Sequence, residues 1–513
     1  MNPKVRGTAL LVLALSTSSV VLPCRATPSS AARARQYLTQ AVLQMGGAPA
    51  LQALKTVRFE AIGHREMVEQ SERPEGPYVV EYDHRIVQER DLEQQRWKQT
   101  VTLNGGPFPD VTITTVSDGE SAKKTIDDHV RPGSLDDLQG AQETLELGPE
   151  RIVFTALAAP DLRAEADIVL QSVLHHVVAF TWRGQPVRLY LNTYTALPTE
   201  VEWRSAYPWN IFWSTWGDVT TRLYYSLWWL GPAGIHYPLQ WDFFRNDLPD
   251  HFFTITRIST NVGFPADTFA VSVEERAAFE KRRGTLDDRP LGIAGQPAVE
   301  LAEGIVHIPG AWNVTLVRQG DGVVVLEAPI SSGYSAKVLA EAARRWPGVP
   351  VKAVVSTSDS WPHLAGVREY VARGIPVYAL DLNVAILSRL VAASRRRFPD
   401  ALAKAAQKPL FRVVAAKTLL GSGANAMELY PLRGETSERQ LMVYFPQRKL
   451  LYGSDAFQQN DQGFTFPQTV WEVAHAVERE GLAVERFFMM HIGPTPWSEA
   501  LQAIQSAQRL PTT

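Results

Sequence analysis

The chain has 513 residues, 45% of them hydrophobic and 20% charged, with a formal net charge of -3. That length exceeds one ordinary core and predicts two domains of about 200 to 250 residues, and the composition excludes a fibrous or disordered chain. Without a global positive field, nucleic acid is excluded as a general partner.

Lys4 and Arg6 precede a short apolar run, 9–15 and 20–22, broken by Ser16 to Ser19. Such a segment is too short to span a bilayer and predicts a secretory signal peptide over 1–26, so the mature protein is exported, periplasmic or extracellular. The alternative is a protein lipid-anchored at Cys24, although Pro23 stands where such signals carry a small residue. Cys24 is the single cysteine. Disulfides and thiolate ligands are therefore excluded after cleavage, and any metal must rest on His, Asp and Glu. No later run of about 18 apolar residues predicts a transmembrane segment.

Residues 31–44 have a helical pattern ended by Gly46-Gly47, with a further turn over 49–54. Short β-rich runs follow at 57–62, 78–82, 97–103, 111–116, 177–182 and 187–191, interrupted by a helix over 150–158. They predict an antiparallel, curved β-sheet domain over 31–272, loosely similar in pattern to the curved-sheet domains of periplasmic lipoprotein carriers. Trp203, Trp209, Trp213, Trp216, Trp228, Trp229 and Trp241 crowd its second half. They read either as a thick β core or as the lining of a groove for a small-molecule or apolar ligand. Residues 255–260 and 261–269 read as the closing strand and exit. A helical pattern at 273–283 and a Gly-, Pro- and Asp-rich stretch at 284–297 predict a linker over 273–297.

Over 298–513 the texture is mixed. Strands are predicted at 305–308, 314–318 and 323–327, a helix at 335–346, a strand at 351–355, a helix at 364–373, a strand at 376–379 and a helix at 384–397. The triplet Arg395-Arg396-Arg397 then reads as the cationic end of that helix. Strands at 427–431, 440–445 and 450–452 precede a helix at 466–479. This order predicts two sheets sandwiched between helices, making the whole an α+β two-domain protein.

The loop after the apolar strand at 351–355 reads Ser356-Thr357-Ser358-Asp359-Ser360-Trp361-Pro362-His363-Leu364-Ala365-Gly366. With that strand order it resembles the metallo-β-lactamase superfamily, whose loop reads Thr-His-x-His-x-Asp-His-x-x-Gly. Thr357 falls on the family's threonine, Ser358 and Ser360 on its first two histidines, Pro362 on its aspartate, His363 on its last histidine and Gly366 on its glycine. Gly434-Glu435-Thr436 stands where the family has Gly-His-Thr. The run 450–455 matches the strand ending in the metal-bridging aspartate, here Asp455, and 489–493 the strand ending in the final histidine, here His491.

The resemblance implies an αβ/βα sandwich and, in the family, two zinc ions that activate water for hydrolysis. Here the site normally built from three imidazoles has become Ser358, Ser360 and Glu435, a poor zinc donor set. His363, Asp455 and His491 remain, two imidazoles and a carboxylate suited to one zinc ion, with Asp359 and Glu435 as additional candidates. Two readings follow. One is an exported protein with a degenerate metal site, serving in non-catalytic binding or scaffolding, its histidines and aspartate satisfied by mutual hydrogen bonds. The other is a hydrolase using one zinc on an ester- or amide-type substrate. His64, His84, His175, His176, His236 and His475 form no ligand spacing. The absence of a Gly-x-Ser-x-Gly elbow, a phosphate-binding loop and a dinucleotide fingerprint removes serine hydrolase, nucleotide and hydride-transfer chemistry.

Overall fold

The computed structural model of the protein describes residues 29–104, 110–231, 234–405, 407–460 and 463–509. The signal read over 1–26, with Cys24, lies outside the described residues. Among the described residues, no helix is long and apolar enough to cross a membrane.

Alternation with period two builds the first sheet. Along Thr56–Glu66, Val57, Phe59 and Ala61 turn into the core, while the side chains between them turn out. Val80–Asp91 and Leu248–Thr260 pair antiparallel on either side of it. Repetition of this pairing gives a 14-stranded sheet, among the described residues, from His129–Pro132 at one edge to Arg163–Ala164 at the other. The helices Ser30–Gln44, Leu135–Leu147 and Ile152–Ala158 bury Leu38, Leu145 and Ile152 against its inner face. Leu135–Leu147 is not among the predicted elements. Its signal is the capping box in which Ser134 accepts from Asp137 N and the Asp137 carboxylate accepts from Ser134 N. Trp203 and Trp241 belong to this core, whereas Trp213 and Trp216 leave it for the second domain.

Residues 261–269 form no strand. Asn261 takes a positive φ of 55° and ends the ladder there. The helix Val273–Glu280 packs on Ala122–Ile126 and its neighbour, with Phe279 fully buried against Ala122 and Leu138. The segment after it crosses to the sandwich, where Asp287 Oδ1 accepts from Gly333 N at 2.8 Å on the first turn of Ser332–Arg345.

Two large sheets build the second domain, beside a small two-stranded one of Gln459–Asn460 and Gly463–Phe464. One runs Val299–Ala302, Ile305–Ile308, Val314–Gln319, Gly322–Leu326, Val351–Ser356, Val377–Leu380 and Phe411–Val414 in sequence order, and its last four strands are parallel. The other runs Thr418–Leu420, Met427–Pro431, Leu441–Phe445, Leu450–Tyr452, Arg486–Phe488 and Thr495–Pro496. Strands such as Gly322–Leu326 are buried on both faces, which is why they read as unbroken apolar runs. Leu326, Val355, Leu429, Val443 and Phe488 fill the space between the sheets. Ser332–Arg345, Val367–Ala372 and Val384–Ala392 cover one outer face, and Pro467–Arg479 and Trp497–Arg509 the other. The result is an αβ/βα sandwich of four layers.

Two expectations need correction here. The helix predicted over 364–373 is two pieces, Trp361–Leu364 and Val367–Ala372, joined at Gly366. A Cβ on that glycine would stand 2.1 Å from Ser335 Oγ, so glycine is what lets the chain pass. The helix predicted over 384–397 stops at Ala392, and the arginine triplet lies beyond it. Asp218 of the first domain accepts from Arg396 N at 2.9 Å and from Ser394 Oγ at 2.7 Å, pulling that segment into a contact between domains.

Candidate metal centre

Strand register brings the surviving residues together. Leu450–Tyr452 and Arg486–Phe488 are parallel neighbours with Tyr452 opposite Phe488. Asp455 and His491 each follow that pair by the same interval, so both emerge at one end of the sheet. Ser454 holds a positive φ of 61° just before Asp455, a conformation kept at a cost only where the surroundings impose it. His363 arrives from the other sheet, on the short helix Trp361–Leu364 after Val351–Ser356. Leu441 N donates to Thr357 O at 2.8 Å, tying that loop to the second sheet.

The three side chains converge. One donor atom from each of His363, Asp455 and His491 lies within 4.8 Å of the others. His363 Nε2 stands 3.4 Å from Asp455 Oδ2, and His491 Nε2 stands 3.2 Å from Asp455 Oδ1. His491 is oriented by its other nitrogen, 3.0 Å from Ala311 O. His363 is completely buried, yet neither ring nitrogen has a hydrogen-bond partner among the described residues. Burial pushes its imidazole down to about 4, so it is neutral with a lone pair available. Burial works against ionisation of Asp455 too, but the two imidazoles hold its carboxyl below the usual range. Burial would also depress His491, but the hydrogen bond and charge of Asp455 outweigh it and raise that imidazole.

Beneath the cluster lies a buried polar knot. Thr357 Oγ1 hydrogen-bonds to Glu327 and to Ser454 Oγ, the latter at 2.7 Å, and Tyr452 OH donates to Glu327 Oε1 at 3.1 Å. Glu327 has a positive φ of 74°, and burial pushes its carboxyl up to about 7. Sequence reading passed over Glu327. Its signal is an acid closing the otherwise apolar run of Gly322–Leu326.

The other candidates stand apart. Glu435 is exposed and outside the cluster, and the two residues after it, Thr436 and Ser437, both donate to Glu472. Asp359 is partly buried and also outside the cluster, with its carboxyl pushed up to about 7 by burial. Ser358 Oγ accepts from Ser360 N at 3.1 Å, and Ser360 Oγ accepts from Gln70 Nε2 of the first domain at 3.0 Å. These hydroxyls are consumed by protein contacts, so the residues present do not fit a second ion. Pro362 is buried, its carbonyl accepting from Ile330 N at 2.8 Å. A cavity of about 370 Å³ opens over Asp455, Ser358 and Ser360, with Met67, Gln70 and Val80 of the first domain as its opposite wall.

The first domain also grips the loop itself. Trp361 packs edge-on between Trp213 and Trp216, with ring centroids 5.0 and 5.1 Å away, and its carbonyl accepts from Thr215 Oγ1 at 3.3 Å. Sequence reading found these tryptophans but not this task, since no pattern along the chain pairs residues so far apart.

No protein-family model and no curated protein matches the chain. Solved structures similar to it include the inverting sec-alkylsulfatase Pisa1 from Pseudomonas sp., at 14% identity and a TM-score of 0.32 over 42% of this chain and 40% of that one. Others are a metallo-β-lactamase from Erythrobacter litoralis, at 17% identity and a TM-score of 0.32 over 43% of this chain and 100% of that one, and one from Pontibacter korlensis, at 16%, 0.32, 42% and 99%. By its own layer order the second domain is an αβ/βα sandwich, with Asp455, His491 and the short helix that bears His363 gathered at one end of its sheets.

Proposed function

We propose that the second domain binds one divalent metal ion, zinc by its donor set, through His363, Asp455 and His491, and that the protein is a single-metal hydrolase of an ester- or amide-type substrate. One observation carries this reading. A fully buried imidazole that makes no hydrogen bond among the described residues, with Nε2 3.4 Å from Asp455 Oδ2, is costly in a metal-free cluster, where mutual hydrogen bonds are expected instead. A tetrahedral zinc site with bonds of 2.0–2.2 Å separates its donors by about 3.3–3.6 Å. His363 Nε2 and His491 Nε2 stand 3.4 and 3.2 Å from different oxygens of Asp455, and one donor atom from each residue lies within 4.8 Å of the others, so side-chain adjustment is needed to close the set on one ion.

Zinc held there would supply a Lewis acid and a water acidified toward neutral pH. The chain's own contributions are separate. His363 offers a neutral lone pair, Asp455 a carboxylate, and Ala311 O sets the tautomer of His491. Asp359 lines the same cavity, and its carboxyl, raised to about 7, suits a proton acceptor near neutral pH. The leader-like N-terminus supports export, and the composition shift at 273–297 supports a division into 31–272 and 298–513.

Metal analysis tests the proposal. Protein from zinc-replete medium is expected to carry about one equivalent of zinc, lost on His491→Ala, and to hydrolyse 4-nitrophenyl acetate in a zinc-dependent way. Metal-free protein of native stability from the same medium overturns it in favour of the second reading, a non-catalytic binding or scaffolding protein. That reading is supported by the conversion of the neighbouring imidazole positions into hydroxyls bound by protein.

A further inference from the structure

We infer that a second cavity, set between the two domains, binds an organic carboxylate with an apolar body. This cavity encloses about 470 Å³, and its lining joins Ser214 and Gly217 of the first domain to Ile330, Arg395 and Asp400 of the second. It shares no lining residue with the cavity over Asp455. Two buried polar atoms of its lining have no hydrogen-bond partner among the described residues, Arg395 Nε and Ser214 Oγ. They lie close together, because Arg395 Nη2 donates to the carbonyl of Thr215, the residue after Ser214, at 2.6 Å. An N–H and a hydroxyl can both donate, and buried donors left without an acceptor are costly until a ligand supplies one.

Charge makes that acceptor an anion. The side chains of Arg395, 13% exposed, and Arg368, 2% exposed, converge on one carboxylate, Asp400. Arg368 holds it in both hands: Asp400 accepts from its Nε at 2.5 Å and from its Nη2 at 2.9 Å. Arg395 Nε lies 3.2 Å from Asp400 Oδ2 without forming a hydrogen bond. Burial and the charge of Arg368 push the Arg395 guanidinium down to about 10, as expected of a cation short of counter-charge. The other acids acting on it are Asp287 and Asp218. Asp287 accepts from Gly333 N at 2.8 Å, and Asp218 from Ser394 Oγ at 2.7 Å and Arg396 N at 2.9 Å. Asp288, which also lines the cavity, accepts from Thr285 N at 2.7 Å. Arg397 and Lys404, both exposed, add two further cations to the lining. Leu286 and Ile330 are buried there, and Phe398 stands 42% exposed, an apolar surface that the body of a ligand would cover. A carboxylate on Arg395 and Ser214 carrying a short hydrocarbon chain answers both kinds of surface.

Calorimetry on the full-length His491→Ala protein tests this, because disabling the metal cluster keeps a bound ion from capturing the probe, whether or not zinc occupies the native protein. Hexanoate is expected to bind at least tenfold tighter than hexanamide, which lacks the charge, and at least tenfold tighter than acetate, which lacks the body. In the same background Arg395→Met should lower hexanoate affinity at least tenfold. Phe398→Ala, which trims an exposed side chain and leaves the fold intact, should lower it at least fivefold. Absence of hexanoate binding, equal binding of hexanamide, or full affinity in either folded variant overturns the inference, and Phe398→Ala decides alone where Arg395→Met does not fold. Inorganic phosphate binding as tightly as hexanoate overturns it too, since that marks a site indifferent to the apolar body.

Discussion

The loop from Thr357 to Gly366 has two halves with opposite fates. In the first, Ser358 and Ser360 are small hydroxyls that protein donors have absorbed, one within the loop and one reaching over from Gln70. In the second, His363 is larger, fully buried and without a hydrogen bond among the described residues. A polar group that finds a partner inside the fold becomes structure. One left facing a carboxylate and a second imidazole keeps the capacity to bind.

Substitutions can break or sharpen this contrast. The largest effect is expected from His363→Ala, which should weaken zinc binding by about a thousandfold, near 4 kcal/mol, read by competition with a chromogenic chelator. Unchanged affinity would remove His363 from the site. Next is Trp213→Ala. It deletes one jaw of the clamp on Trp361 and should cost about 3 to 5 kcal/mol of stability in denaturant titration. Zinc affinity should fall with it and recover in Trp213→Phe, since the clamp holds the helix that carries His363.

A smaller effect depends on pH. Burial raises the Asp359 carboxyl from its ordinary 3.8 to about 7, so the folded state holds its proton more tightly than the unfolded chain. Stability is then lost as pH rises from about 4 toward 7. Asp359→Asn should melt above the native protein at pH 8, with the gap closing toward pH 4, while ester turnover falls if Asp359 takes the proton. A gap independent of pH would contradict the assignment. The smallest effect, about 1 kcal/mol, is expected for Ser360→Ala, which frees the Gln70 amide without touching zinc stoichiometry. Loss of zinc in that variant would erase the distinction between the two halves.

The change of texture near 273–297, the antiparallel first domain and the alternating second one are written in local pattern, because strand and helix periods are properties of neighbouring residues. The spacing of the loop and of the strands ahead of Asp455 and His491 is written there too, and the register of Leu450–Tyr452 with Arg486–Phe488 realises it. Pattern alone could not reveal where a helix stops when its end is set by a distant group. Val384–Ala392 ends where Asp218 captures the following backbone, an ending invisible from the arginines themselves.

Residue types by themselves determined which donors exist: one cysteine, Cys24, hydroxyls at Ser358 and Ser360, a histidine farther along the same loop, and an aspartate and a histidine each following an apolar run. Tertiary structure alone decided which of those donors are free. It turned Glu435 to solvent, gave Ser360 to Gln70, set Trp361 between two tryptophans from more than a hundred residues away, and left His363 in the interior beside Asp455 without a hydrogen bond among the described residues. The physical reason is that a ligand's availability depends on every group within hydrogen-bond reach, and only the folded chain brings those groups together.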